Sequence, residues 1–409
     1  MVLRENTMNK KLLSVVMLVS CLLLTACDTS KIAPTSGVKA REEAEANAKS
    51  QEVNAEETEN TQEEAPEADN TESVQESSEP AQTTETEEVF YSGFTGEEIG
   101  YMHYDHRPLA VMLNNIKEGC PQSGIEQASM VFECPVEGRI TRLMGIFEEY
   151  ENIEKIGSVR SSRDYFVYLA MEVDAIYAHF GQATVYVGDL LNSNAVDNIS
   201  GAVSGIENPA NHTFYRSDDR SAPHNVYIDN EGLKEDIANF GYRTTLRTGF
   251  TPKFIYPEPG SRATHDEGED VTVIYPGGKN PSAKNGFAQV QARFEYNKDD
   301  QKYYRFQYGD KHIDKETGNQ LKYDNVVLQY CDGMVRDSHD YLAFGLVGDN
   351  ENKCQIFTNG KMVEGTWKRT ELFEPAKYYD KDGNEIEVNR GKTWICIIWN
   401  DYAEDVVCE

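Results

Sequence analysis

Positively charged residues are scarce in this sequence of 409 residues. Lysine and arginine together number 39 against 70 aspartates and glutamates, which gives a formal net charge of −31 at pH 7. Binding to nucleic acid requires a basic surface that neutralises phosphates, and electrostatic adhesion to anionic lipid requires clusters of lysine and arginine. The composition therefore argues against a nucleic-acid partner and against a membrane contact that rests on charge alone.

The motifs of the common enzyme classes are also missing. The sequence contains no G-x-S-x-G nucleophile elbow, no H-E-x-x-H zinc motif, no Walker loop and no dinucleotide-binding fingerprint. It has no C-x-x-C pair, which argues against a zinc knuckle or a thioredoxin-like site. We therefore predict no cofactor and no metal site, and we favour a protein that is not an enzyme, although a novel catalytic site stays open.

The apolar run near the start is too short to span a membrane. It covers residues 12–26 and follows two lysines. A spanning helix needs about 20 apolar residues, whereas a secretory signal peptide needs a basic start and a shorter apolar core. The run ends in L-T-A-C, which resembles the lipobox of bacterial lipoproteins, where the cysteine is lipidated and becomes the first mature residue. Residues 1–27 are predicted to be a lipoprotein signal peptide with Cys27 as its lipidation site; an uncleaved anchor and an ordinary signal peptide are the alternatives.

A long segment after the cysteine lacks aromatic residues. Residues 28–89 contain no phenylalanine, tryptophan or tyrosine and are rich in glutamate, threonine, serine and alanine. Such a segment buries too little apolar surface to offset the entropy lost on ordering. We predict a disordered acidic tether over residues 28–98. The protein would then sit on the extracytoplasmic face of the cell membrane, with the membrane as its partner through lipidated Cys27.

The remainder of the chain has the pattern of an α+β protein. Apolar runs rich in β-formers are followed by one helix in which Phe166, Leu169, Ala170 and Val173 repeat at i, i+3, i+4 and i+7. Later, aromatic-rich runs surround polar turns, and Asn359-Gly360 gives the strongest short hairpin signal. We predict an N-terminal mixed α/β sheet domain over residues 99–248, an interdomain connection over 249–288 and a smaller, mainly antiparallel β C-terminal domain over 289–409.

Several blocks of the folded part are similar to one known family. They are R-P-L-A-V-M-L-N-N (107–115), I-G-S-V-R-S-S-R-D-Y-F (156–166), N-G-K-M-V-E-G-T-W (359–367) and G-K-T-W-I-C-I-I (391–398). These blocks resemble, in the same order, the YerB family of bacterial lipoproteins, which have paired N- and C-terminal domains of unknown function. The resemblance implies a two-domain envelope lipoprotein and brings no settled activity.

Two arginines at the start of the predicted helix form the leading candidate site. Free backbone N–H groups and the helix dipole favour an anion there, and a guanidinium adds forked donors suited to phosphate or carboxylate. The strand before the helix carries two further arginines. The predicted anion-binding residues are Arg139, Arg142, Arg160 and Arg163.

A structural ion-pair network is the competing interpretation and the commoner one in proteins. Its carboxylates would be Glu133, Glu137 or Glu148 on the neighbouring strands. The loop 216–225 gathers two arginines, two aspartates and a histidine, and a solvated loop is preferred there over a ligand site. Six cysteines follow the signal peptide, and an exported chain permits disulfides between them, with buried thiols as the alternative.

Two function classes follow from these residues. The first is a non-enzymatic binding or scaffold module at the cell envelope, with an anionic envelope ligand or an envelope protein as its partner. The second is an enzyme that acts on phosphorylated envelope glycans or lipid-linked intermediates through the arginines. In the second class, His179 or Glu133 is the candidate catalytic residue for proton transfer.

Replacement of the predicted lipidation site tests the anchor. In Cys27→Ala we expect the protein to leave the membrane fraction or to accumulate as an unprocessed precursor, because stable anchoring requires two or more acyl chains at about 0.8 kcal/mol per buried CH₂. Fractionation and mass spectrometry of the N-terminus measure both outcomes. Cys21→Ala, in the same apolar run, is the matched control and should stay on the membrane. Unchanged mass and retention of the Cys27 variant would contradict the lipoprotein prediction.

Overall fold

The computed structural model describes residues 88–409. The predicted signal peptide with Cys27, and the predicted tether up to residue 87, lie outside the described residues. Among the described residues, the helices are too short or too polar to cross a membrane.

Strands outnumber helices in the described part of the chain. The helices are α1 (Asp164–Glu172), α2 (Thr184–Asn192), α3 (Asn230–Phe240) and α4 (Gly286–Gln289). The strands of the first half are β1 (Phe90–Tyr91), β2 (Glu98–Ile99), β3 (Leu109–Leu113), β4 (Met130–Val136), β5 (Ile140–Phe147), β6 (Ile156–Gly157), β7 (Ile176–His179), β8 (Asn198–Ser200), β9 (Ala202–Val203), β10 (Ile206–Glu207), β11 (Phe214–Arg216) and β12 (Val226–Ile228). The strands of the second half are β13 (Glu269–Asp270), β14 (Val273–Tyr275), β15 (Arg293–Asn297), β16 (Lys302–Gln307), β17 (Asp310–Lys311), β18 (Lys322–Tyr323), β19 (Asn325–Cys331), β20 (Gly333–Val335), β21 (Leu342–Phe344), β22 (Gly348–Thr358), β23 (Lys361–Arg369), β24 (Lys377–Tyr379), β25 (Thr393–Trp399) and β26 (Val407–Cys408).

One large sheet contains strands from both halves of the chain. Its strand order is β13-β23-β22-β19-β25-β4-β5-β3-β7-β8, and β24 pairs with β23. The two halves meet where β25 pairs in parallel with β4, with Thr393 opposite Met130 and Cys396 opposite Glu133. Antiparallel hairpins and parallel crossings share the sheet, so the α+β fold class is confirmed.

Both faces of this sheet are covered, as the apolar strands predict. In β3, Ala110 and Met112 face one core, and Leu109, Val111 and Leu113 face the other. This alternation follows from the two-residue repeat of a strand. We call the first side the helix face, because α1 packs there.

Helix α1 buries its apolar stripe on the helix face. Phe166, Leu169 and Ala170 are fully buried in the same core as Met112. The hydroxyl of Tyr165 donates a hydrogen bond to the carbonyl oxygen of Pro135 at 2.9 Å, which fixes the helix to β4. The N-cap is Arg163, and no side chain caps the helix.

The opposite face is covered by a second sheet from the C-terminal half. Its strand order is β17-β16-β15-β14-β26, and β18 pairs with β16. It packs around Trp394 of β25, whose ring contacts Phe294 at 5.9 Å and Tyr323 at 5.1 Å between centroids. We call this side the second-sheet face.

A buried ion pair joins the two sheets. Glu133 of β4 and Arg305 of β16 both have fully buried side chains, and Arg305 Nη2 lies 2.9 Å from Glu133 Oε2. Trp394 Nε1 donates to the same carboxylate oxygen at 3.0 Å, and Thr141 Oγ1 donates to Glu133 Oε1 at 2.6 Å. Every oxygen of this buried carboxylate is therefore bonded.

The predicted turns of the C-terminal half are confirmed. Asn359 and Gly360 connect β22 to β23 with φ values of 53° and 75°, as a tight hairpin turn with two left-handed positions requires. The aromatic run predicted as a hairpin forms β15 and β16, in which Arg293 pairs with Phe306 and Asn297 with Lys302.

The end of the predicted tether belongs to the folded unit. Residue 98 is the predicted boundary, but Phe90–Tyr91 already pairs with Glu98–Ile99. Phe94 is 2% exposed and its ring lies 5.4 Å from that of Phe250. An aromatic side chain of this size stabilises the fold when buried, so order begins near Phe90.

The segment predicted as an interdomain connection is closely packed. Residues 249–288 contain β13, β14 and part of the core around Phe254. Lys253 and Glu172 have almost fully buried side chains and form an ion pair at 2.8 Å. This segment therefore contacts the first half rather than crossing solvent. Within residues 88–409, all six cysteines are unpaired: Cys120, Cys134, Cys331, Cys354, Cys396 and Cys408.

Removal of Arg305 tests the junction between the sheets. Arg305→Met should lower the free energy of unfolding by roughly 3–5 kcal/mol, because it leaves the Glu133 carboxylate buried and unpaired. Denaturant unfolding measures the change. The double variant Glu133→Gln with Arg305→Met should recover most of the loss, because neither charge then remains.

The matched control is Arg293→Met in the neighbouring strand. Arg293 pairs with Glu295 at 3.0 Å, and the side chains of Arg293 and Glu295 are 31% and 44% exposed. An exposed pair contributes about 0–1 kcal/mol, so this variant should be nearly neutral. Equal losses in the two single variants would show that the buried pair does not hold the sheets together.

Candidate functional site

Three arginines come together at the N-terminal end of α1. Arg142 lies on β5 and points to the helix face, on the same side of its strand as Met144. Arg160 lies in the segment between β6 and α1, where its backbone N–H donates to the carbonyl oxygen of Met112 on β3 at 2.9 Å. Arg163 is the N-cap of α1. We call Arg142, Arg160 and Arg163 the arginine cluster.

Arg163 is paired within the protein. Its Nε donates to Glu137 Oε2 at 3.0 Å, and its Nη2 bonds the other oxygen of the same carboxylate. Its Nη1 donates to the carbonyl oxygen of Ser162 at 2.6 Å, and the guanidinium lies 5.3 Å from the centre of the Tyr341 ring. Burial favours the uncharged form, but the Glu137 pair outweighs it and raises the pKa of Arg163.

The other two arginines have no carboxylate partner among the described residues. Arg142 Nη1 donates to the carbonyl oxygen of Ser161 at 2.8 Å. Arg160 Nη1 donates to the carbonyl oxygen of Pro223 at 3.2 Å, and Arg160 Nε is buried without a hydrogen-bond partner. The cluster thus contains three guanidinium groups and one carboxylate.

The pKa values show the cost of this excess charge. Burial, together with the nearby Arg163 and Arg160, lowers the pKa of Arg142 to about 9. Burial and Arg163 also lower the pKa of Arg160. Arg142 is only 6% exposed, so water screens it little. A bound anion would offset both causes, because an opposite charge favours the charged form of a neighbouring group.

Arg139, the fourth predicted member, lies apart from these contacts. It occupies the turn between β4 and β5 with a φ of 57°, its side chain is exposed, and it forms no ion pair within residues 88–409. The structure therefore brings together three of the four predicted arginines.

The structure does not bring Glu133 to the cluster. Cross-strand pairing places Cys134 opposite Arg142 and Glu133 opposite Leu143. Because neighbouring residues of a strand point to opposite faces, Glu133 lies on the second-sheet face, with Arg305, while Arg142 lies on the helix face. Glu133 is a structural carboxylate in a closed site.

His179 does not reach the cluster either. The side chain is fully buried, with Nδ1 2.8 Å from the carbonyl oxygen of Gly181 and Nε2 3.4 Å from Asn198 Oδ1. Burial lowers the pKa of His179 to about 4. Both ring nitrogens thus face protein groups, which leaves none directed at a ligand.

The three glutamates considered as partners divide among three places. Glu137 pairs with Arg163, and Glu133 pairs with Arg305. Glu148 is buried and accepts hydrogen bonds from Ser92 at 2.6 Å and Ser129 at 2.5 Å. The structural network is therefore complete for Arg163 and absent, among the described residues, for Arg142 and Arg160.

The loop 216–225, interpreted from the sequence as solvated, borders the cluster. Pro223 accepts the hydrogen bond from Arg160, and Arg220 donates to the carbonyl oxygen of Gly119 at 2.7 Å. His224 Nδ1 lies 2.9 Å from Asn114 Nδ2, and burial, Arg160 and Arg220 lower the pKa of His224. The charged residues of this loop could be recognised in the sequence. The contact with Arg160 could not be predicted, because the loop and Arg160 are far apart along the chain.

Comparison with known proteins places the chain in one family. Residues 94–243 match the N-terminal domain, and residues 283–395 the C-terminal domain, of the family described as "Protein of unknown function (DUF3048)". The "Putative lipoprotein YerB" of Bacillus subtilis (strain 168) is 30% identical over 297 residues, which cover 72% of this chain and 82% of that protein. The chain belongs to this YerB-like family.

A solved structure supports the same assignment. The crystal structure of YerB protein from Bacillus subtilis covers 78% of this chain and 99% of that chain, with a TM-score of 0.65 and 26% sequence identity. The N-terminal domain match includes every member of the arginine cluster and Glu137. The YerB-like family is described without an activity, so the chemistry of the site rests on its own residues.

The Glu137–Arg163 pair makes a pH-dependent prediction. Arg163 holds the pKa of Glu137 below its ordinary value of 4.5, although burial opposes this. A carboxyl group with a lowered pKa stabilises the folded protein at pH values above its ordinary pKa. This stabilisation is lost as the pH falls through the lowered pKa. Glu137→Gln should therefore lower the free energy of unfolding at pH 7 by about 1.5–3 kcal/mol, the range for hydrogen bonds to charged groups, and by much less in acid.

Unfolding at a series of pH values, with wild type and variant in parallel, measures the difference. The matched control is Glu207→Gln, because Glu207 pairs with Arg216 through a side chain that is 55% exposed. The control should be nearly neutral at every pH. A Glu137→Gln loss that stays constant down to acid pH would contradict the charge-based role.

Proposed function

We propose that this chain is a lipoprotein anchored through Cys27 on the extracytoplasmic face of the cell membrane, and that its folded part binds an anionic envelope ligand at the arginine cluster. The ligand is a molecule that carries a phosphate or carboxylate group. One observation carries the proposal: Arg142 is buried, Arg160 is half-buried, and neither has a carboxylate partner among the described residues.

The net charge of the chain strengthens this argument. In a protein of formal charge −31, carboxylates are abundant and could easily have been placed beside each arginine. Burial of a guanidinium without an opposite charge is costly, and structural arginines are normally paired. Two unpaired guanidinium groups next to a paired one fit a site in which the missing negative charge comes from a ligand.

The chemistry of the donors favours an oxyanion. A guanidinium presents N–H groups in a flat fork that matches phosphate or carboxylate oxygens. The cluster also lies at the start of α1, which no side chain caps, and a helix N-terminus favours negative charge. The two features act in the same direction at the same place.

A binding role is favoured over catalysis. Proton transfer requires a group within hydrogen-bond reach of the bound substrate. Glu133 lies on the opposite face of the sheet, and the ring nitrogens of His179 face Gly181 and Asn198. Neither candidate catalytic residue is therefore placed to act on a ligand held by Arg142 and Arg160.

Anion-dependent stability tests the proposed site. Sulfate or inorganic phosphate should raise the melting temperature of the wild type beyond the effect of chloride at the same ionic strength. Binding to the native state adds RT ln(1 + [L]/Kd), which is about 2.7 kcal/mol at a hundredfold excess over Kd. Arg160→Ala and Arg142→Met should each remove most of this increment, because each deletes an unpaired guanidinium.

Two arginines serve as controls. Arg262→Ala removes one positive charge from an exposed side chain elsewhere and should leave the sulfate effect unchanged. Arg139→Ala should behave in the same way if Arg139 lies outside the site, as its contacts indicate. The proposal fails if the wild type shows no sulfate-specific shift, or if the shift persists in both cluster variants.

A further inference from the structure

A second group of polar side chains lies near the start of the folded part, away from the arginine cluster. His103 and His106 belong to the turn between β2 and β3, and Glu151 belongs to a short 3-10 helix, Tyr150–Asn152, after β5. One ligand atom from each residue can be chosen so that all three atoms lie within 4.8 Å of one another. We call these three residues the histidine cluster.

The cluster contains polar atoms that the protein leaves without hydrogen-bond partners. His103 Nδ1, His106 Nδ1 and Glu151 Oε2 are all buried from solvent and unbonded. An unpartnered buried polar atom is destabilising, because it loses its hydrogen bonds to water and gains none in return, and such atoms are uncommon in native proteins. Three such atoms in one cluster are consistent with a site that a bound ion would complete.

The spacing fits a metal ion. His106 Nδ1 and Glu151 Oε1 are 3.3 Å apart but do not form a hydrogen bond. Two ligands of a tetrahedral Zn²⁺ site, each about 2.0–2.1 Å from the metal, are separated by about 3.3–3.4 Å. The observed separation is close to the edge length of such a tetrahedron.

Neighbouring groups hold the ligands in position. The His106 ring stacks on Tyr150, with centroids 5.5 Å apart and an angle of 19° between the planes. His103 Nε2 lies 3.7 Å from Glu149 Oε1, so Nδ1 is the nitrogen left for a metal. A metal-binding imidazole commonly directs its other nitrogen to a carboxylate, which fixes the tautomer and the ring orientation.

We infer that His103, His106 and Glu151 form a binding site for a divalent transition metal, with Zn²⁺ as the preferred ion. Two imidazoles and one carboxylate are a donor set that suits Zn²⁺, and they leave a fourth position for water. The bound ion would link the turn before β3 to the 3-10 helix after β5, close to the point where the chain leaves the predicted tether.

Zinc binding to the full-length, tag-free protein tests the inference. Isothermal titration with Zn²⁺ should show one site per chain, and Co²⁺ should give the d–d absorption of a tetrahedral site with nitrogen and oxygen ligands. His106→Ala and Glu151→Gln should each weaken binding by at least about 10–100-fold, since loss of an outer-shell partner alone costs that much. Glu149→Gln should weaken binding by about 10–100-fold and leave one site per chain.

The controls separate metal binding from folding and from the arginine cluster. His212→Ala removes a half-exposed histidine beside Glu235 and Asp236, outside the histidine cluster, and should bind Zn²⁺ like the wild type. Arg160→Ala should also bind Zn²⁺ normally, so the two sites can fail separately. The melting temperature of each variant is first measured with a chelator present, which shows whether the metal-free variant is folded. The rise in melting temperature on addition of Zn²⁺ then measures the stabilisation by the metal.

Two results would overturn the inference. One is the absence of stoichiometric Zn²⁺ binding to the wild type. The other is a Co²⁺ spectrum and affinity that are unchanged in both His106→Ala and Glu151→Gln, which would place the ion elsewhere.

Discussion

The buried ion pair between Glu133 and Arg305 is the contact on which the arrangement of the two sheets depends. Both side chains are fully buried, one on the large sheet and the other on the second sheet. Removal of two charges from water is costly, and mutual attraction repays the cost only in good geometry with the remaining hydrogen bonds satisfied. Trp394 and Thr141 complete the hydrogen bonds of the Glu133 carboxylate, whereas Arg305 Nε is buried without a hydrogen-bond partner. The second sheet therefore has a strong preference for the one position in which Arg305 meets Glu133.

The strand alternation that places Glu133 in this pair also isolates the arginine cluster from it. In the β4–β5 hairpin, Glu133 and Thr141 point toward the second sheet, whereas Arg142 points toward α1. Charged residues that are close in sequence thus have different roles on the two faces of the sheet. On one face, positive and negative charges balance and hold the fold. On the other, three guanidinium groups meet only Glu137, and the surplus supports the proposal of an anionic ligand.

The two proposed sites illustrate how binding groups arise where a protein leaves its own polar groups unsatisfied. Arg160 Nε at the arginine cluster, and three atoms of the histidine cluster, are buried without hydrogen-bond partners. Other buried charges, such as Lys253 and Glu172, pair with one another, although unbonded buried atoms also occur outside the two sites, as at Arg305 Nε and Arg369 Nη1. Membership of a family of unknown function gives the fold and leaves the ligand open, so these local imbalances are the most direct indication of chemistry.

The sequence alone determined the fold class, the hairpin at Asn359-Gly360, the helix after Arg163 and the family, because each depends on local periodicity or on contiguous blocks. It also indicated three arginines of the cluster, since two lie at one helix start and Arg142 lies on the strand just before. The sequence also contained enough information to predict that Glu133 and Arg142 lie on opposite faces of the sheet. The short turn between β4 and β5 pairs Val136 with Ile140, and this pairing sets the register of the hairpin. Only the tertiary structure decided that Glu133 meets Arg305, that Pro223 lies beside Arg160, and that His103 and His106 meet Glu151. These partners are far apart along the chain, and long-range packing, which no local pattern encodes, brings them together.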